Sequence, residues 1–574
     1  MLPKNTERLI DVAMGRRKAE LVIKNANIYN VFTGAFTPGD VAVDHGWIAA
    51  VGKYDGESEY DAAGAYLTPG LFDGHVHIES AMVSPGQFAR TVVAKGSTTV
   101  VADPHEIANV AGIDGLKYIL DATENCPVNV YIMLPSCVPA SPMEWGGARL
   151  TAEDLEPFLD HPRVLGLGEM MNFPGVVNKD LEVMAKLNLA AGRQIDGHAP
   201  GLSGPALSAY AAAGIRNDHE CSTAEEALER LGLGMAVLLR QGSAARNLLN
   251  LLPAVTLFNA PFCLLATDDR HPEDLLHEGH INYLVRLAVN EGGLSPELAL
   301  RLATINGPVH FGLKNLGAIA PGYLADLALF PDLKNFEPSR VWKSGRLAAE
   351  NGVCLWPRNE SDESKIRKPV KIADLAADNF RIAATGSKIR VIELMPGELV
   401  TNHLILALKP VDGAFVASPE NDLVKLAVLE RHRGDQTIAL GLLKGLGLKR
   451  GAIASTVAHD SHQLIIAGVS DEDMALAARE IKRIGGGLVI TENGGVTGSL
   501  PLPLGGILSD RSMEETSEVL AGLQKKVRDL GLAEGNDPFM TLAFMSLPVI
   551  PKLKLTEAGL VDVDKFEIVS LIAD

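Results

Sequence analysis

Eight short, apolar, β-rich runs between residues 71 and 269 limit what this chain can fold into. They read "LFDGHVHI", "STTVVADP", "VNVYIML", "RVLGLGEM", "RQIDGHA", "GIRNDHE", "MAVLLRQG" and "FCLLATDD". Helix-like stretches such as "SPGQFARTVVAKG", "IDGLKYILDATE" and "TAEDLEPFLD" lie between them. Strand and helix patterns alternating in this way describe repeated βα units and a parallel sheet. Eight units predict a (β/α)8 TIM-type barrel, with a doubly wound open sheet as the competing topology. The run ends separate the two. Six runs finish in ionisable residues: His75 and His77; Asp103, His105 and Glu106; Glu169; Asp196 and His198; Asp218, His219 and Glu220; Asp268 and Asp269. In a barrel these ends converge on one mouth, whereas in an open sheet they string out along an edge. So many ligand-type side chains make better chemical sense converging.

The barrel pattern spans 73–306. Residues 1–72 alternate apolar and polar positions between Gly/Asn turns, which predicts short antiparallel strands forming the first part of a β-sandwich. Residues 307–357, with "GAIAPGYLADLALF" and "SRVWKSGRLAAENG", predict its second part. The polar, proline-bracketed "PRNESDESKIRKP" predicts a linker at 358–369. Residues 370–574 predict a C-terminal α+β domain. Within it "AIASTVAHDSHQLIIAGVSDEDMALAAREIKRIGGGLVI" reads strand, strand, helix, strand, with Ser470 as N-cap and Asp473 three residues on.

A net charge of −19 argues against nucleic acid or an anionic membrane as partner. No apolar run approaches the roughly 18 residues that span a bilayer. Cys126, Cys137, Cys221, Cys263 and Cys354 are scattered, odd in number and free of CxxC pairs, as expected of reduced thiols in a cytoplasmic protein.

Two histidines at i and i+2 on a strand share a face, so His75 and His77 can grip one cation. His198 and His219 end the fifth and sixth runs. A catalytic ion with an open position takes about three protein ligands. Four histidines with Glu169 and Asp268 therefore suit two divalent metals sharing a carboxylate and a hydroxide, about 3.5–4 Å apart. The plainer alternative is that the histidines only hydrogen-bond in the mouth. Asp103, His105 and Glu106 in "DPHE" either face the reactants or cap the next helix. His271, His277 and His280 are expected to shape the eighth loop, and Asp269 to point away from Asp268. The glycines of "IGGGLVITENGGVTGS" have no phosphate-loop spacing.

"DGHVHIE" after "LTPG", with "GHA", "DHE" and "ATDD" at later strand ends, resembles the amidohydrolase superfamily. "VADPHEIANVAG", "LGEMMNFPGV", "DGHAPGLSG", "HINYLVRLAV" and "AHDSHQLIIAGV" are similar to its bacterial adenine deaminase family, from the N-terminal region through the C-terminal domain. The resemblance implies hydrolysis of adenine to hypoxanthine and ammonia, in purine salvage, by a bridging hydroxide attacking C6. It implies His75 and His77 on one metal, His198 and His219 on the other, Glu169 as bridge and Asp268 as the eighth-strand ligand. Many relatives bridge with a carboxylated lysine, where this chain offers Glu169. That oxygen-rich bridge favours Mn²⁺ or Fe²⁺, with Zn²⁺ also possible. Asp268, Glu106 and His105 are the expected catalytic groups. Asp103, Glu106, His459 and His462 are the expected substrate contacts, the last two on a turn packed at the barrel mouth. A homo-oligomer, a dimer first, is the expected assembly. The alternatives are a binuclear hydrolase of cyclic amides, an enzyme for a related 6-substituted purine, and a non-catalytic metal scaffold.

Overall fold

The structure is a computed structural model that describes residues 5–358, 361–395, 398–532 and 537–573. All eight apolar runs are strands: Leu71–His77, Ser97–Ala102, Asn129–Leu134, Val164–Met170, Gln194–Gly197, Asn217–Asp218, Ala236–Arg240, and Cys263–Ala266 continued by Asp268–Asp269. Every neighbouring pair is parallel. The fifth to first strands lie side by side in that order, and the sixth pairs with the seventh and the seventh with the eighth. Asp268 opposite Val76 and Asp269 opposite His77 join the eighth strand back to the first. The fifth and sixth strands meet through the Arg216 N–H on the Ile195 carbonyl (3.2 Å) and the Gly197 N–H on Asn217 Oδ1 (2.9 Å). The ring is a barrel, and the open-sheet alternative falls. Phe72, Val101, Met133, Leu238, Leu264 and Phe311 form one buried cluster from its strands and the helix end that follows.

The connecting helices follow their sequence signals. Pro85–Ala94 carries proline in its first turn, where no N–H is missed. Ala224–Gly232 starts in a Thr223/Glu226 capping box. "TAEDLEPFLD" makes less helix than its pattern suggests. Thr151 caps Ala152–Leu155, and then Pro157, which has no N–H to donate, accompanies a change to a 3₁₀ turn at Glu156–Phe158.

The segments flanking the barrel build one hydrogen-bonded nine-stranded network, joined where Leu327–Phe330 runs antiparallel to Tyr66–Pro69. It is not wholly antiparallel, nor are its strands all short: the twelve-residue strand Ala19–Asn30 pairs parallel with both Gly56–Asp61 and Tyr66–Pro69. In the expected linker, Asn359 and Glu360 lie outside the described residues. The rest is anchored: Ile366 is buried, its carbonyl accepts the Gly505 N–H at 2.8 Å, and Arg367 meets Asp510 at 2.9 Å.

The C-terminal region centres on an eight-stranded, mainly antiparallel sheet. The expected strand–strand–helix–strand is present as Ala452–Ser455, Leu464–Gly468, Asp471–Ile484 and Gly487–Glu492, with the Ser470 hydroxyl accepting the Asp473 N–H. This region shares one apolar core with the barrel, to which Ile107 and Val110 contribute from one side and Ile507 and Leu508 from the other. The Ser509 N–H bonds to the Met82 carbonyl at 2.8 Å, and Thr556 Oγ1 to the Met143 carbonyl at 2.7 Å.

Candidate metal centre

The first strand carries Asp73, His75 and His77 in one "DGHVH" run, and they do two jobs. Asp73 accepts from the Thr267 N–H and hydroxyl and the His75 N–H, and His280 Nε2 lies 3.0 Å away. It locks the first strand to the eighth. His75 and His77 turn toward the mouth, with their Nε2 atoms 3.2 Å apart.

Around them the strand ends converge as expected. His77 Nε2 is 3.2 Å from Glu169 Oε1 and 3.1 Å from Asp268 Oδ1. His75 Nε2 is 3.6 Å from the same Asp268 oxygen. The other Glu169 oxygen, Oε2, faces His198 Nδ1 at 2.6 Å and His219 Nε2 at 3.1 Å. His75, His77 and Glu169 form one group whose ligand atoms lie within 4.8 Å of each other; Glu169, His198 and His219 form a second. One carboxylate thus offers an oxygen to each histidine pair.

The lone pairs test whether a cation fits. His77 Nδ1 lies 3.0 Å from the Asp103 carbonyl and must donate to it, which leaves Nε2 as the lone-pair nitrogen of a neutral ring. That nitrogen then faces another imidazole nitrogen and two carboxylate oxygens, and the carboxylates bring no proton. Such a convergence of buried acceptors requires a cation or an added proton. The residues present fit a divalent metal pair.

Positioning groups surround these ligands. Asp103 Oδ2 accepts the Glu169 N–H at 2.8 Å from behind, and a side chain at Gly168 would lie 2.1 Å from that oxygen. Asp103 therefore orients Glu169 and does not line the main cavity, unlike the substrate contact expected of it. Arg240, from the seventh strand, reaches Asp268 Oδ2 at 2.9 Å and also pairs with Glu220. Burial alone would raise the Asp268 carboxyl. The His77 hydrogen bond and the Arg240 charge outweigh it and hold the group well below the usual carboxylate range. Arginine is not a metal ligand, so a pattern of ligand-type residues at strand ends does not point to Arg240. Asp268 itself is in the left-handed region at φ +57°, and Asp269 lines the cavity beside it. An extended backbone would have turned Asp269 away; this one does not.

The C-terminal turn 458–463 closes the site. His459 Nδ1 lies 2.5 Å from Glu106 Oε1, and His462 Nε2 bonds to Glu106 Oε2. His105 sits between the two clusters, its Nδ1 3.4 Å from Glu169 Oε1 and its Nε2 3.5 Å from Glu106. The main cavity of the barrel mouth is lined by His77, Glu169, His198, His219 and Asp268 together with His105, Glu106 and His459. Met171, Leu399, Phe544, Leu547 and Ile550 supply its apolar side, and in sequence they resemble ordinary core residues. His462 is behind Glu106 and borders a smaller hollow with Glu79 and Met82. His280 is buried against Asp73, His277 is exposed, and His271 meets Asp537 at 3.3 Å.

A barrel whose strand ends gather four histidines, a glutamate and an aspartate, beside a composite β-sheet, defines the amidohydrolase class. The amidohydrolase family pattern matches residues 66–348, and the adenine deaminase C-terminal domain pattern matches 398–567. The chain is 53% identical over 566 residues to adenine deaminase 2 of Carboxydothermus hydrogenoformans, covering 99% of each chain. It is 47% identical over 567 residues to the adenine deaminase of Desulfatibacillum aliphaticivorans, covering 98% of this chain and 99% of the relative. The chain belongs to the adenine deaminase family of amidohydrolases.

Proposed function

We propose that this chain hydrolyses adenine to hypoxanthine and ammonia at two divalent metal ions, Mn²⁺ or Fe²⁺ ahead of Zn²⁺, as a purine-salvage enzyme of the cytoplasm. The observation that carries the reading is Glu169, with one oxygen toward each histidine pair. His75 and His77 would hold one ion, His198 and His219 the other, with Asp268 completing the first set. When bound, such ions act as Lewis acids and make water a nucleophile near neutral pH.

The chain's own groups do the rest. Asp268 Oδ1 takes the proton of the attacking oxygen and passes it to the departing amine, which must leave as ammonia. Arg240 holds Oδ2 and so keeps Oδ1 aimed at the reacting atoms. His105 and Glu106 line the wall against which the purine ring nitrogens would lie. Phe544, Leu547 and Ile550 offer an apolar face to a flat base and exclude water. A homodimer is the assembly we expect.

Metal-replete protein incubated with adenine is the test. Stoichiometric ammonia release with the ultraviolet shift to hypoxanthine is expected. Two bound metals without any turnover of adenine would sink the reading.

A further inference from the structure

The Glu106–His459–His462 cluster joins barrel and C-terminal domain, and it invites a third metal-site reading because its ligand atoms lie within 4.8 Å of one another. Its hydrogen bonds rule that out. His462 Nδ1 accepts the Ala458 N–H at 3.1 Å, so the proton of a neutral His462 is on Nε2. Nε2 therefore donates to Glu106 Oε2 and has no lone pair for a cation. His459 Nδ1 faces the other oxygen at 2.5 Å. Glu106 is a carboxylate gripped at both oxygens, and His459 is the ring it orients. That ring stacks on Phe544, with centroids 4.6 Å apart and planes inclined 23°. Among the described residues His459 Nε2 has no hydrogen-bond partner, and the ring lines the main cavity. His459 is thus clamped on one edge and one face, and its ring lines both the main cavity and the smaller hollow beside it.

We infer that His459 is a catalytic residue supplied by the C-terminal domain, donating its Nε2 proton to the purine ring nitrogen N1 as the nucleophile adds at C6. Glu106 and, behind it, His462 are its positioning residues. The inference rests on the adenine reading above. The bonds balance as follows. A C6–O bond forms, and the C6–N1 π pair moves onto N1, which takes the His459 proton. The remaining oxygen-borne proton passes through Asp268 to the amine. The C6–N bond then breaks, ammonia leaves and C6=O forms. The two protons of one water are accounted for, one on N1 and one on ammonia, and the proton released when the next water is activated restores His459. The division of labour follows from position. Asp268 sits among the histidines of the strand ends, 3.1 Å from His77 Nε2, while His459 reaches the same cavity from the C-terminal domain and is held by Glu106. Burial alone would lower the His459 imidazolium; Glu106 more than offsets this and lifts it to about 9, so the donor is charged at neutral pH. Burial pushes His462 down, in keeping with a neutral ring.

The experiment uses the full chain loaded with Mn²⁺. Wild type is assayed on adenine first, and absence of turnover there counts against the proposed function itself. Given turnover, His459→Asn should lose kcat by about 10²–10⁴, the range for a general acid, with KM changed less than threefold and metal content unchanged. A kcat within threefold of wild type overturns the inference, whatever happens to the melting temperature. 6-Chloropurine, whose chloride needs no proton to leave, separates N1 from the amine. An equal fold-loss on both substrates supports N1, and selective rescue by 6-chloropurine overturns it. Should His459→Asn fail to fold, Glu106→Gln and Glu106→Asp take its place. Gln should lower kcat about 10–100-fold at constant KM, with partial recovery in Asp; unchanged kcat in Gln, or equal losses in both, overturns the clamp.

Discussion

Two histidine–carboxylate clusters stand side by side in this molecule, and they are built from the same residue types for different chemistry. At the barrel mouth, imidazole nitrogens and carboxylate oxygens crowd one point: His75 and His77 Nε2 are 3.2 Å apart, and Glu169 and Asp268 oxygens close on the same place. At the turn 458–463, Glu106 takes hydrogen bonds from His459 and His462. What differs is where the far nitrogen goes. The His77 far nitrogen donates to a carbonyl, leaving a lone pair at the centre; the His462 far nitrogen accepts an amide, leaving a proton there. Residue type nominates a metal site, and between His77 and His462 the second hydrogen bond of the imidazole tells the two apart.

The largest effect that would break this contrast is at Glu169. Glu169→Gln should lower bound metal from two ions toward none and cut activity by more than about 10³-fold, because the nucleophile depends on the ions. Elemental analysis beside the ammonia assay checks it. Full occupancy with activity in that variant would mean that the mouth does not need its shared carboxylate. Asp268→Asn comes next. It removes the proton carrier but leaves the histidines, so kcat should fall by about 10²–10⁴ while most of the metal stays. Turnover near wild type would take Asp268 out of the proton path.

A third experiment sharpens the contrast through protons. In the metal-free protein burial alone would lower His77, but the Asp268 and Glu169 hydrogen bonds dominate and hold it well above its ordinary value. Any proton that these carboxylates hold on His77 Nε2 must be displaced by a metal. Metal affinity should weaken about tenfold per pH unit on acidification for each proton released. Calorimetric titration in two buffers of different ionisation enthalpy measures the release. His462→Asn should leave that proton count unchanged, since its cluster binds no ion; a changed count would erase the distinction between the two sites.

Much of the mouth was legible because a strand end in a barrel has a known destination. Position along the chain fixed His75, His77, Glu169, His198, His219 and Asp268 at one place, and the turn bearing His459 does reach it. Direction was harder. Asp103 looked like its neighbours His105 and Glu106, yet it turns behind Glu169 into space that Gly168 leaves open. Asp269 turns inward because Asp268 adopts a left-handed backbone that no alternation rule anticipates. Phe544, Leu547 and Ile550 are not recognisable as cavity residues in the sequence, since an apolar side chain facing a cavity and one facing a core have the same signature. The stretch 361–369 has a linker's composition, but the buried Ile366, its carbonyl bond from Gly505 and the Arg367–Asp510 pair fasten it to the C-terminal region.

The smallest effect tests how the two clusters are kept in register. His271, three residues beyond Asp268, reaches across the seam to Asp537 at 3.3 Å. Burial alone would lower His271, but the Asp537 hydrogen bond and charge outweigh it and raise the ring above its ordinary value. Burial would likewise raise Asp537, and the same pair outweighs it and lowers the carboxyl. The signs set a window. The His271 contribution is complete below its unfolded value of about 6.5 and fades as pH rises through its folded value. The Asp537 contribution is present above about 3.9 and fades as pH falls through its folded value. His271→Asn should therefore destabilise the protein by about 1 kcal/mol between roughly pH 4 and 6.5, with the deficit shrinking above that range. Paired melting curves at pH 5.5 and pH 8.5 read the difference. A deficit as large at pH 8.5 as at pH 5.5 would show that His271 fastens the seam by packing alone, and that the registration of the two clusters does not depend on this charge pair.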